Sequence, residues 1–244
     1  LYLSKSLNQI LFIRENRILQ NSLTNNNINS EADSKTIPLQ ENVFATTHIG
    51  LLRETNEDSF IYWINENTPN SLFAVADGIG GHESGEIASR LCLKELLSEW
   101  RNKQMWNERS TKKIEKFLIN AIKQANELIY RQNLSFNIQH PMGTTLVVAI
   151  LTPNKIIIAH AGDSRFYKYN SESIESLTRD HSFVEELIVR NIITREEAKG
   201  HPFAHIISKC VGTSNEIVPE VNVFKRQPGD KYFLCSDGLF AHLD

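Results

Sequence analysis

An α+β fold built on antiparallel sheets is the class this sequence predicts, and its arrangement of apolar segments carries that prediction. Short apolar runs bounded by turns recur from residue 43 onward, and two long helical stretches interrupt them in mid-chain. The order is strands, then helices, then more strands, rather than the regular alternation of a doubly wound parallel sheet. With 244 residues, 41% hydrophobic and 23% charged, the chain has the material for one large domain plus an extension.

The first segment, residues 1–42, is read as a short helix followed by a flexible lead-in. Around Asn25-Asn26-Asn27 it is rich in Asn and Ser and poor in large apolar side chains, so it buries too little surface to order itself. The folded domain is assigned to residues 43–244. Strands are expected at residues 43–49, 58–64, 72–76, 145–151, 156–161, 165–169, 218–224 and 231–235. Residues 85–103 form the first long helix, with Ile87, Ala88, Leu91, Cys92, Leu96 and Trp100 on one stripe. Residues 112–131 form the second, where Ile114, Phe117, Leu118, Ala121, Ile122, Ala125, Leu128 and Ile129 keep a helical period. Both stripes read as core-facing. In residues 182–200, Ser182-x-x-Glu185 and Thr194-x-x-Glu197 are capping-box patterns that open two short helices.

Charge and cysteine content exclude several function classes. A net charge of −3 gives no basic field for nucleic acid or an anionic membrane surface. No run approaches the ~18 apolar residues of a membrane span. The three cysteines, Cys92, Cys210 and Cys235, lie far apart without a Cys-x-x-Cys pair, which argues against a zinc ribbon or disulfide framework and fits a reducing compartment.

Two predicted strands end on Asp-Gly, at Asp77-Gly78 and Asp237-Gly238. An Asp against an apolar core needs compensation for its charge, and two such placements suggest a shared cation. Further candidates are Glu57 or Asp58, leading into one strand, and Asp163, in a turn between two others. Carboxylates, carbonyls and water are the ligands Mg²⁺ and Mn²⁺ prefer. A pair of such ions activates water and clamps a phosphoryl oxygen. Arg53, nearby in sequence, has the chemistry to contact phosphate in bidentate fashion.

Six stretches in order give these residues a family. They are Arg53-x-x-Asn56-Glu57-Asp58, Asp77-Gly78-Ile79-Gly80-Gly81-His82, Gly143-Thr144-Thr145, Gly162-Asp163-Ser164-Arg165, Leu177-Thr178-Arg179-Asp180-His181-Ser182 and Cys235-Ser236-Asp237-Gly238-Leu239. In this combination the chain resembles the bacterial form of the metal-dependent type-2C protein phosphatases, the PPM family. The resemblance implies a four-layer α-β-β-α sandwich of two antiparallel sheets flanked by helix pairs. It implies a centre of two Mn²⁺ or Mg²⁺ ions, with a weaker third. By position, Asp77 would bridge the two ions, the Gly78 carbonyl would contact one through water, Asp237 would hold the first, and Glu57 or Asp58 the second. Asp163 with Asp237 would support the third, and Arg53 would bind the substrate phosphate.

The activity implied is hydrolysis of phosphoserine and phosphothreonine in proteins by a metal-activated water. The expected setting is a cytoplasmic monomer opposing a Ser/Thr kinase, with no nucleic-acid or membrane partner. Residues 182–205 correspond to a flap beside the site. The family pattern continues past residue 244 with a helix, an Asp-Asn pair and a closing strand, so the sandwich is expected without that helix and strand. The competing reading is a phosphatase-like module that binds phosphoproteins or a partner without turnover. His82 stays open between a proton donor and a residue at the helix start; His160 reads as a core histidine, and Thr144 and Thr145 as structural.

Overall fold

Two antiparallel sheets and a helix pair account for most of the described residues, which in this computed structural model are 9–14, 28–29, 34–40, 43–49, 53, 55–80, 83–136, 141–170, 173–227 and 229–240. In chain order the strands are β1 (Gln9–Arg14), β2 (Ile28–Asn29), β3 (Ser34–Gln40), β4 (Val43–His48), β5 (Asp58–Trp63) and β6 (Ser71–Ile79). Helices α1 (Glu83–Asn102) and α2 (Thr111–Ser135) follow. Then come β7 (Gly143–Thr144), β8 (Leu146–Leu151), β9 (Lys155–Ala161), β10 (Arg165–Tyr169) and β11 (Ile174–Ser176). Short helices α3 (Phe183–Val189) and α4 (Arg195–Lys199) precede β12 (Glu220–Lys225) and β13 (Lys231–Cys235). One sheet runs β11-β10-β13-β1-β4-β3, the other β12-β9-β8-β6-β5-β2, with β7 paired to β6.

Alternation along the strands of the second sheet sorts its side chains into two cores. Ile61, Trp63, Leu72, Ala74, Leu146, Val148 and Ile157 pack under α1 and α2. The intervening Phe60, Tyr62, Phe73, Val75, Val147, Ile156 and Ile158 meet Val43, Ala45, Phe166, Tyr232 and Leu234 of the first sheet. The predicted α2 stripe is buried as expected at Ile114, Phe117, Leu118, Ala121, Ile122, Ala125 and Ile129. On α1, Ile87 is instead 45% exposed.

The lead-in differs from the expectation of a short helix and a flexible linker. Residues 1–42 contribute β1, which sits between β4 and β13, β3, which pairs with β4, and β2, which pairs with β5. The sequence of β1, Gln9-Ile10-Leu11-Phe12-Ile13-Arg14, is a β-branched and aromatic run whose strand propensity outweighs the polar surroundings. The expected capping box at Thr194 and Glu197 forms with both reciprocal bonds. At Ser182 the hydroxyl accepts from the Glu185 N–H at 3.3 Å, while the Glu185 carboxylate turns to Arg195.

Candidate metal centre

Strand register brings the first two carboxylates together. Asp58 opens β5 and lies directly opposite Asp77 near the end of β6, so both project on the same face, at the end of the rows that fill the inter-sheet core. Asp58 is buried, and its Oδ2 accepts from the Ser236 hydroxyl at 2.9 Å. Ser236 follows β13 and precedes Asp237, so this bond ties the two sheets together at the site. The other Asp58 oxygen, Oδ1, is buried and meets no hydrogen-bond donor among the described residues.

Backbone bonds hold Asp77 in place. Its N–H donates to Thr145 Oγ1 at 3.0 Å, and its carbonyl accepts from the Thr145 N–H at 2.8 Å and the Thr144 hydroxyl at 2.9 Å. Thr145 Oγ1 lies 2.7 Å from the Ser164 hydroxyl, next to Asp163. One threonine therefore joins the turns that carry two candidate ligands. Gly78 is required for close approach: a Cβ there would lie 2.0 Å from the Gly85 carbonyl oxygen at the start of α1. Its N–H donates to the Glu57 carbonyl at 3.1 Å, which also accepts from Ser89 of α1 at 2.7 Å.

The four aspartates interact through their charges. Burial pushes the Asp58 carboxyl up to about 6, with Asp77 and Ser236 contacts and the Asp237 charge also acting on it. Burial and the charges of Asp58, Asp237 and Asp163 push Asp77 well above the carboxylate range. Burial, then Asp237 and Asp180, raise Asp163 to about 7. A set of oxygen donors that repel one another, with one buried oxygen lacking any donor, fits a hard divalent cation. The spacing is open: among the described residues, the three potential ligands whose atoms lie within 4.8 Å of one another are His160, His181 and Glu220, outside this cluster. An open arrangement suits ions that keep water in their coordination sphere.

Glu57 and Arg53 stand at the rim. Arg53 Nη1 lies 3.1 Å from Glu57 Oε2, with the Arg53 side chain 49% exposed. The sequence left Glu57 and Asp58 as alternatives; the register aims Asp58 at Asp77 and leaves Glu57 paired with Arg53. His82 lies outside the described residues. Two partners were missed from sequence. One is Ser236, whose only local signal was its place before Asp-Gly. The other is the Arg165–Asp180 pair, whose bonds of 2.8 and 2.6 Å are bidentate. Despite burial, Asp180 holds the Arg165 guanidinium above its usual range, and the Phe240 ring stacks 3.5 Å from it.

Comparison with known proteins gives the chain its family. The sequence profile described as Protein phosphatase 2C matches residues 46–244. The serine/threonine phosphatase Stp of Listeria monocytogenes is 34% identical over 194 residues, 79% of this chain and 75% of that protein. The crystal structure of a serine/threonine phosphatase from Staphylococcus aureus superposes with a TM-score of 0.72 at 31% identity, covering 94% of this chain and 83% of that one. The catalytic domain of the serine/threonine phosphatase PstP, crystallised with two manganese ions, gives a TM-score of 0.66 at 26% identity over 97% and 81% of the two chains. On the profile match and these identities, the chain belongs to the bacterial protein phosphatase 2C (PPM) family.

Proposed function

We propose that this chain is a metal-dependent phosphoprotein phosphatase that hydrolyses phosphoserine and phosphothreonine esters. The observation that carries the reading is the Asp58–Asp77 pair in strand register, Asp58 buried and Asp77 partly so, with Asp163 and Asp237 close enough to raise their proton affinity. The residues that would hold two Mn²⁺ or Mg²⁺ ions are Asp77, Asp58 and Asp237, with Asp163 and Asp237 serving a weaker third. Glu57 and the Gly78 carbonyl act at the periphery. When bound, such ions supply a water acidified towards neutrality and positive charge facing the phosphoryl oxygens.

The chain's own residues do the rest. Ser236 and the Thr144–Thr145 pair fix the orientation of Asp58 and the backbone of Asp77. Glu57 holds Arg53 at the rim, where its exposed guanidinium is placed to receive a phosphate by paired N–H donation. The catalytic domain is assigned to residues 43–244, and β1, β2 and β3 from residues 1–42 join its two sheets. The same reading extends the two sheets and the helix pair to a four-layer sandwich in which helices also cover the outer face of the first sheet. Free, buried Cys92 and Cys235 support a reducing cytoplasm, where a monomer would oppose a Ser/Thr kinase in signal transduction.

The test is hydrolysis of p-nitrophenyl phosphate and of a phosphothreonine peptide with Mn²⁺, with and without EDTA. Turnover should require the metal, and Asp77→Asn should lower kcat at least about a hundredfold while the thermal transition persists. Unchanged turnover in the variant, or turnover that survives chelation, would remove the metal assignment.

A further inference from the structure

One imidazole grips the turn that carries Asp163. The Gly162 N–H donates to Nδ1 of His181 at 3.2 Å, and the main-chain N–H of His181 returns to the Gly162 carbonyl at 2.9 Å. Gly162 has φ of +112°, and a Cβ there would lie 2.6 Å from Thr145 Cβ. Residue 162 therefore cannot carry a side chain of its own, and its buried amide depends on an acceptor from elsewhere.

The ring that supplies the acceptor is held on its other sides. His160 stacks on it with centroids 4.5 Å apart and planes at 7°. Nε2 lies 3.5 Å from Glu220 Oε2 on β12 and 3.4 Å from Lys209 Nζ, and the His181 carbonyl accepts from the Ser208 N–H at 2.8 Å. His160 Nε2 faces the Arg179 carbonyl at 2.9 Å and so carries the proton. Burial, His160 and Lys209 push His181 down to about 4, which keeps Nδ1 an acceptor at neutral pH.

His160, His181 and Glu220 bring potential ligand atoms within 4.8 Å. Their geometry is nevertheless poor for a metal: the rings are parallel, the Nδ1 lone pair of His181 is engaged by Gly162, and the Lys209 ammonium stands beside Nε2.

We propose that His181 is a positioning residue for the Asp163 turn, its Nδ1 accepting the Gly162 amide and thereby setting where the Asp163 carboxylate meets the metal centre. The inference rests on the metal-dependent reading above.

Two substitutions separate the ring's two nitrogens in the full chain. His181→Asn places an amide oxygen near the position of Nδ1, whereas His181→Gln reaches towards Nε2. Manganese binding by calorimetry, exchange of the Gly162 amide, and kcat and KM on p-nitrophenyl phosphate are the readouts. The Asn variant should match the wild type within about threefold, and the Gln variant should bind manganese about 10- to 100-fold more weakly. Its Gly162 amide should exchange faster, and kcat should fall while KM holds. If the Gln variant does not fold, His181→Ala against His181→Asn carries the same comparison. Equal losses in the Asn and Gln variants, or a Gly162 amide that exchanges freely in the wild type, would overturn the proposal and leave only a packing role for the ring. Absence of manganese binding by the wild type would instead overturn the metal-dependent reading, and this inference with it.

Discussion

Asp58 shows how a single residue trades stability for a site. Its folded-state value of about 6 against 3.8 means that the ionised side chain is less favourable in the fold than in the unfolded chain. At neutral pH that difference is on the order of 3 kcal/mol. The folded value is raised, so the stability linked to Asp58 is fully present below about pH 4 and is lost as pH rises through about 6. Asp163, raised to about 7, extends that loss to higher pH. His181 works in the opposite sense: its value is lowered from 6.5 to about 4, so its contribution is complete above 6.5 and is lost towards acid. Melting temperatures taken in EDTA should therefore fall between about pH 4 and 7, with His181 offsetting part of the fall below 6.5, and saturating Mn²⁺ should reverse it near neutral pH. Asp58→Asn, which keeps an acceptor for Ser236, should raise the melting temperature in EDTA and abolish tight manganese binding. A variant that melts lower in EDTA would show that burial of this charge carries no such cost.

At the scale of elements, the proposed centre depends on how β6 meets α1. The Gly78 backbone lies so close to Gly85 that Gly78→Ala would set a Cβ 2.0 Å from one carbonyl oxygen and 2.8 Å from that of Glu57. Both are main-chain atoms, so relief requires α1 to shift. We expect about 2–3 kcal/mol of destabilisation in a urea titration, with metal-dependent activity lost beyond what the unfolded fraction explains. A fully active, equally stable Ala variant would refute that contact. The same elements show what a sequence can and cannot convey. The α2 stripe and the β5, β6 and β13 runs were legible because periodicity and burial coincide there. The four aspartates were legible as strand-end carboxylates. The juxtaposition of Asp58 with Asp77 was not, because it rests on register with β6, a pairing between separate segments. Ser236 and Asp180 were illegible for the same reason, since their partners Asp58 and Arg165 lie 178 and 15 residues away. In residues 1–42 the composition pointed to disorder, while β1 finds its partners in β4 and β13, the latter more than 200 residues along the chain.

For the whole molecule, the position of the proposed metal centre follows from having two cores rather than one. The helix-facing core holds α1 and α2 against the second sheet, and the inter-sheet core holds the two sheets against each other. Asp58 and Asp77 come from one sheet, Asp237 follows a strand of the other, and the Ser236–Asp58 bond crosses between them. Relative displacement of the sheets should therefore disturb the centre more than an equal loss of packing under the helices. A matched pair of substitutions tests this. Phe166 on β10 is fully buried in the inter-sheet core, and Phe117 on α2 is 5% exposed in the helix-facing core, against Trp100. Phe166→Leu and Phe117→Leu remove the same atoms and should each lower stability by about 1–2 kcal/mol. Only Phe166→Leu should also weaken manganese binding, measured by calorimetry well below both melting temperatures. Equal manganese affinities in the two variants would mean that the turns around Asp77 and Asp163, braced by Thr145 and Ser164, hold the centre without help from the packing between the sheets.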